Sequence, residues 1–331
     1  MIQFGCTPKR STHMAIIRFL HNSAMGHIQS SSFGAIAVDF SKAYDKVPHG
    51  ILLSKLQRDE VPNYLLHYVR NWLTDRQCQV INGNTRSRAY TPQCGIPQGS
   101  PLSVWLWKFF VSDVPLEDKT TNFYMDDILF WYQARTSKEL QMRLQQAADK
   151  LTKWCNHNGM KVNQDKTKFI MNKIPLYNTP VIRIQGKPYT PTSRLKYLGV
   201  EFTSSEMTDV IELDLGRVKS DLIRRTSLVG RVKYLLTSAD MMTVAKAIVM
   251  GKLNYFLPFL GAESPETLRP LEVGLNQCMR IITGAFPSTP IPLLHSWTGI
   301  PPIRTLIKKT AANMFYSMKQ YPSILTREYM L

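Results

Sequence analysis

Apolar residues recur along this chain with two different periods, and the period predicts the element. Residues 14–29 place Met14, Ile17 and Leu20 on one face and predict a helix. SFGAIAVDF (32–40) is a run of small and β-branched residues that closes on an acid, the pattern of a buried strand. HGILLSKL (49–56) and VPNYLLHYVRNWL (61–73) predict two helices separated by a proline turn. Residues 78–88 predict a hairpin around Gly-Asn, GIPQGSP (95–101) a loop, and LSVWLWKFFVSDV after it a buried helix. FYMDDILFWY (123–132) is apolar on both sides of two adjacent acids, as in two strands joined by a tight turn. Residues 136–159 form the clearest amphipathic helix, with Thr136 or Ser137 as N-cap and Gly159 as stop. KVNQDKTKFIMN (161–172) and LKYLGVEF (195–202) predict further strands, and from about 207 the pattern is mostly helical to the end. No internal repeat or low-complexity tract interrupts this order.

Strand, helix, two strands, helix, strand and then a helical tail is an α+β plan built on an antiparallel sheet. On that plan Asp39 ends a central strand, while Asp126 and Asp127 sit at the turn between two others. Three carboxylates far apart in sequence then converge on one point.

Charge sharpens the question these acids raise. The chain carries 41 Lys and Arg against 24 Asp and Glu, a formal net charge of +17. Such an excess suggests a polyanionic partner, nucleic acid or an anionic membrane surface. No apolar run is long enough to span a membrane, and the start lacks the apolar core of a signal peptide. The five cysteines are scattered, with no Cys-x-x-Cys pair, which argues against a disulfide framework or a zinc ribbon and fits a reducing compartment. Nucleic acid is the better match.

Adjacent carboxylates repel each other and resist burial unless a cation offsets them. Mg²⁺ takes hard oxygen ligands, typically one or two carboxylates plus substrate phosphates. Two such ions activate an attacking oxygen and stabilise a leaving one in phosphoryl transfer. An acidic spot on a central sheet of a basic protein therefore suits nucleotidyl transfer. Taken alone, Asp126-Asp127 reads first as an ordinary solvated turn, and Asp39 is a weak signal that could simply cap the helix that follows.

The ordered set of motifs goes further. VDFSKAYDKVPH (38–49), GIPQGSPLS (95–103), FYMDD (123–127), GMKVNQDKTK (159–168) and YLGV (197–200) together resemble the palm of a reverse transcriptase of the non-LTR, LINE-like retrotransposon kind. RIITGAFPSTPIPLLHSWTGIPPI (280–303) resembles the region downstream of the polymerase in jockey-like elements, and CTPKRSTHMAI (6–16) the fingers segment before the first catalytic strand.

The resemblance implies a right-hand polymerase: partial fingers over 1–33, a palm over 34–203 with a finger-like insertion at about 50–92, and a helical thumb and C-terminal region over 204–331. The palm is expected to be an antiparallel sheet with helices on one face, and the sequence to start after part of the fingers. Asp39, Asp126 and the backbone carbonyl of Phe40 are the implied metal ligands, with Asp127 the third acid beside them. Mg²⁺ is the implied cofactor, in two ions, with Mn²⁺ a substitute. Tyr44 stands at the aromatic steric gate that senses a ribose 2′-hydroxyl. Gln98 and Gly99 are placed against the incoming nucleotide and template base, Lys166 near the triphosphate, Tyr124 and Met125 at the primer end, and Tyr197, Leu198 and Gly199 in the primer grip. Asp45 matches the pattern as a structural residue. An RNA template, a DNA primer and deoxynucleotides are the implied partners, and a nuclear setting is implied as well. The departures are Met125 where alanine is common and Val104 where proline is common. The alternative function is a catalytically inactive remnant that binds RNA or duplex nucleic acid.

Arg217, Arg224 and Arg231 recur every seven residues and line one side of a helix, beside an apolar stripe of Leu215, Val218, Leu222, Val229, Val232 and Leu236. Such a helix can pack on the palm and present arginines to a phosphate backbone. It is equally an ordinary amphipathic helix with a solvated basic face.

Overall fold

The computed structural model describes residues 2–29, 31–74, 76–175, 177, 179–204, 211–261 and 263–320. The chain divides into two compact units, Met1–Glu212 and Leu213–Leu331.

The first unit is organised around β1 (Ser32–Asp39), an eight-residue strand of mostly small and β-branched residues, buried along almost its whole length. Two helices follow, α2 (His49–Arg58) and α3 (Asn63–Leu73), then a short exposed hairpin, β2 (Ile81–Asn82) and β3 (Thr85–Arg86). After α4 (Pro101–Phe110) the chain makes the hairpin β4 (Thr121–Tyr124) and β5 (Asp127–Ala134). Helix α5 (Ser137–His157) starts with the Thr136 side chain accepting from Glu139 N, as its N-cap pattern predicts. Strand β6 (Lys168–Met171) completes a four-stranded sheet in the order β4-β5-β1-β6, with every neighbouring pair antiparallel. Two further hairpins follow: β7 (Ile182–Ile184) with β8 (Lys187–Tyr189), and β9 (Arg194–Tyr197) with β10 (Val200–Ser204). A last strand, β11 (Ile211–Leu213), lies beside β10.

The α+β class and the antiparallel sheet agree with the pattern; four local expectations are corrected. First, helices cover both faces of the sheet. Gly34 lies against Leu140 and Leu144 of α5, where even a Cβ would come within 3.1 Å. Its neighbour Phe33 points the opposite way, with its ring 5.9 Å from Phe19 of the first helix, α1 (Thr12–Ile28). Second, the buried face of α1 holds Met14, Ala15, Arg18 and Phe19, while Ile17 and Leu20 are half-buried. A count of apolar positions misplaces the face because Arg18 is fully buried. Its guanidinium donates to Thr121 O at 2.7 Å, Asn122 Oδ1 at 2.8 Å and Asp118 O at 2.5 Å. Third, only the apolar end of 161–172 is a strand; the polar stretch before it turns, with Asn163 Oδ1 accepting from Asp165 N and Lys166 N. Fourth, of the pattern expected from about 207, residues 205–210 lie outside the described residues, and 211–213 are strand.

The second unit is helical: α6 (Leu215–Arg231), α7 (Ser238–Ala245), α8 (Gly251–Phe256), α9 (Pro265–Thr283), α10 (Ile291–Thr298) and α11 (Ile303–Gln320). Helix α6 buries Val218, Leu222 and Val229 and lays that face on α9. Leu222 reaches so far into α9 that a Cβ on Gly274 would meet it at 2.9 Å. The predicted stripe overruns the helix, which is capped at Val232. Arg217, Arg224 and Arg231 are exposed, and Arg224 pairs with Asp221 at 3.2 Å.

Candidate active site

Strand register brings the acids together. Asp39, the last residue of β1, pairs directly with Asp127, the first of β5, and Asp127 also pairs with Tyr124 across the β4–β5 hairpin. Two residues make the turn, Met125 and Asp126, and Met125 is held in the left-handed region with φ 57°. All three carboxylates thus sit at one end of the sheet, on adjoining strands.

The electrostatics are those of crowded, part-buried acids. Burial pushes the Asp127 carboxyl from 3.8 up to about 6, and the charges of Asp126 and then Asp39 add to the effect. Asp126 is raised as well, by burial first and then by Asp39, against the opposing pull of a backbone hydrogen bond and of Lys166. Lys166 answers them: its Nζ lies 3.2 Å from Asp39 Oδ2, and its own pKa is raised by that contact.

A cavity of about 410 Å³ opens beside the acids. Every residue expected at the nucleotide lines it: Phe40, Tyr44, Gln98, Gly99 and Lys166, together with Asp39 and Asp126. The Phe40 side chain is buried edge-on to Trp107, with ring centres 5.9 Å apart, and its backbone bridges Val162. The Tyr44 ring stacks on Trp107 at 5.4 Å, which fixes its plane. Burial, then Cys6 and Asp126, push its phenol up to about 12, so it stays neutral. Gln98 Nε2 donates to Asp45 Oδ1 at 3.1 Å, so Asp45 holds the loop. Gly95 at the start of the loop has φ 93°, and a Cβ there would sit 2.9 Å from Asp45 O.

A second cavity, of about 560 Å³, joins Asp39, Asp127 and Lys166 to Tyr197, Leu198 and Gly199. Leu198 and Gly199 form the β9–β10 turn, both in the left-handed region. The Tyr197 ring is buried beneath that turn, so Leu198 and Gly199 are the members that face outward. Lys168, Arg194 and Lys196 also line this cavity, three cations the motifs did not single out. Tyr124 and Met125 are half-buried, Met125 packing on the core under the hairpin. Arg217, Arg224 and Arg231 belong to the second unit.

A further cavity, of about 720 Å³ between α2 and α5, shares no residue with either of these. Its floor holds an ion pair, Lys55 Nζ to Asp113 Oδ1 at 2.6 Å, with Trp154 Nε1 donating to the same oxygen at 2.8 Å. This pair is structural. Burial alone would raise the Asp113 carboxyl, and the hydrogen bonds from Lys55 and Trp154 bring it below its ordinary value.

Among the described residues no three His, Cys, Asp or Glu side chains stand close enough to cage a metal ion unaided. The donor set still fits a Mg²⁺-class ion. It is all oxygen, burial and mutual repulsion disfavour the ionised forms of Asp126 and Asp127, and such ions take their remaining ligands from substrate phosphates.

A polar support for the hairpin escaped the motif reading. Asn122, fully buried in β4, accepts from Arg18 and donates to Ala15 O at 2.7 Å. Gln3 is buried against the turn itself. No periodicity marks a polar residue buried inside an apolar run.

A central antiparallel sheet with three acids gathered at one end, a nucleotide-sized cavity beside them and a strongly basic chain define a polymerase-type palm. Residues 1–202 match the family model for reverse transcriptase (RNA-dependent DNA polymerase), and the chain belongs to that family. It is 24% identical over 98% of its length to a probable RNA-directed DNA polymerase from transposon BS of Drosophila melanogaster. It is 23% identical, again over 98% of its length, to the RNA-directed DNA polymerase from mobile element jockey of Drosophila funebris. The chain spans 37% and 36% of the length of these two relatives. Among solved structures it is similar to telomerase from Candida albicans in complex with a fragment of telomeric RNA, with 12% identity, a TM-score of 0.45, and 95% of this chain and 52% of that one covered.

Proposed function

We propose that this chain is the polymerase portion of a non-LTR retrotransposon protein: an RNA-directed DNA polymerase that adds deoxynucleotides to a primer 3′-hydroxyl. The observation that carries the reading is the register that sets Asp39 against Asp127 beside Asp126, in a chain of this family. In this reading the first unit supplies fingers residues and the palm, and the helical unit the thumb.

Asp39, Asp126 and the Phe40 carbonyl would hold the divalent ions, Mg²⁺ with Mn²⁺ as substitute. Bound there, the ions would supply activation of the primer hydroxyl and neutralisation of the triphosphate. Asp127 lends its charge to the same point. Lys166 moves from Asp39 toward the leaving pyrophosphate, where its ammonium offsets charge and has a proton to give. Tyr44, rigid on Trp107, blocks the volume a 2′-hydroxyl would need. Gln98, held by Asp45, and Gly99, with open space in place of a side chain, let the nucleotide and template base approach the backbone. Leu198 and Gly199 present the β9–β10 turn to the primer, with Tyr124 and Met125 at its end and Tyr197 supporting from below. Arg217, Arg224 and Arg231 grip phosphates of the RNA–DNA duplex, which gives salt-dependent affinity without sequence preference.

Single-turnover addition of one complementary deoxynucleotide to an RNA-templated primer tests this. Asp39→Asn is expected to lower the rate at least about a thousandfold, with duplex binding retained. An Asn variant as fast as the wild type would refute the assignment.

A further inference from the structure

Met125 is a bulky residue held at φ 57°, and such a conformation persists only where its surroundings impose it. The imposing contact comes from the start of the chain. Ile2 and Phe4 run alongside β4: Phe123 N donates to Ile2 O at 3.1 Å, and Phe4 N donates to Phe123 O at 2.7 Å. The residue between them, Gln3, is 3% exposed and turns its amide oxygen on the hairpin turn. Gln3 Oε1 accepts from Met125 N at 2.9 Å and from Gly5 N at 2.9 Å. Gln3 Nε2 is buried and has no hydrogen-bond partner among the described residues, so the amide is placed for its oxygen. The support is itself tied down, because Arg10 Nη1 donates to Gln3 O at 2.8 Å. Gly5 closes the fit: a Cβ there would lie 2.7 Å from Met125 Cγ and 2.8 Å from Met125 N.

We propose that Gln3 is a positioning residue for the polymerase site. Through the Met125 amide it fixes the left-handed turn, and the turn sets where the Asp126 and Asp127 carboxylates point. The proposal rests on the polymerase reading above. Gln3 touches neither substrate nor ion. Without its oxygen, the buried Gly5 N–H and the part-buried Met125 N–H lose their acceptor, and Met125 loses the contact that holds its backbone.

Gln3→Met keeps the side-chain length and removes the acceptor. The readouts are melting temperature, duplex affinity, Mn²⁺ affinity by electron paramagnetic resonance, and the single-turnover rate with its deoxynucleotide Kd. Residues that orient metal ligands from behind typically govern about 10–100-fold in metal affinity or activity. The expected result is a loss of that size in Mn²⁺ affinity and rate, with duplex affinity within about twofold and a melting temperature lowered by only a few degrees. Unchanged Mn²⁺ affinity and rate overturn the proposal. So does a fall in melting temperature with loss of duplex binding, which would assign Gln3 to the fold. A wild-type chain that neither binds Mn²⁺ nor extends a primer removes the polymerase reading and the proposal with it; an active wild type matched by Gln3→Met removes the proposal alone.

Discussion

Replacing Asp127 with asparagine is expected to stabilise the protein when no divalent ion is present. The carboxyl titrates at about 6 in the fold against an ordinary 3.8, because it is half-buried and faces Asp126 and Asp39. At about 1.4 kcal/mol for each tenfold in proton affinity, that difference corresponds to about 3 kcal/mol of strain in the ionised fold. The group keeps contact with water, so screening reduces the figure to about 1–2 kcal/mol. The sign follows from linkage. A carboxyl whose pKa is raised on folding penalises the fold fully above about 6, and the penalty disappears as pH falls toward 3.8. Differential scanning fluorimetry in chelator at pH 7.5 should show Asp127→Asn melting about 2–6 °C above wild type. The gap should close near pH 4, and added Mg²⁺ should narrow it at pH 7.5 by stabilising the wild type. An asparagine variant that melts at or below wild type in chelator at pH 7.5, or a gap that ignores pH, would refute the crowded-acid account.

Other positions give independent checks. Gly95→Ala should destabilise the protein by about 2–3 kcal/mol in urea titration, since its φ of 93° and the 2.9 Å approach to Asp45 O both oppose a side chain. Asp113→Ala should cost about 3–5 kcal/mol, because it leaves the Lys55 ammonium buried without its carboxylate; Lys55→Met should cost less, as chemical denaturation of the two will show. Tyr44→Val should raise ribonucleotide incorporation relative to deoxynucleotide by at least about tenfold in single-nucleotide assays, with Trp107 still packed beneath the vacated ring.

Much of this site was legible in sequence because it depends on local pattern. The apolar run of β1 ends on Asp39, and the two-residue turn after FY fixes Asp126 and Asp127, so strand register alone aligns them. The capped, periodic α5 was equally plain. What escaped were long-range polar contacts. Arg18 looks like a surface residue of α1 until its five-donor fork meets the loop and strand carbonyls around β4. Gln3 sits in an apolar stretch whose partner, Met125, is remote in sequence. The β7–β8 hairpin also escaped: each strand has only three residues, too few to establish a period. The stripe read through Val232 and Leu236 overran α6 because apolar spacing does not report where a helix is capped.

The central claim is that Asp126 and Asp127 serve RNA-templated DNA synthesis. Primer extension on poly(rA)·oligo(dT) with Mg²⁺ tests it most directly, comparing wild type with the Asp126→Ala, Asp127→Ala double variant at equal duplex occupancy. The account predicts extension by the wild type and none by the variant, with salt-sensitive duplex binding in both. Equal extension by the two proteins, or none by either while both bind duplex, would contradict it.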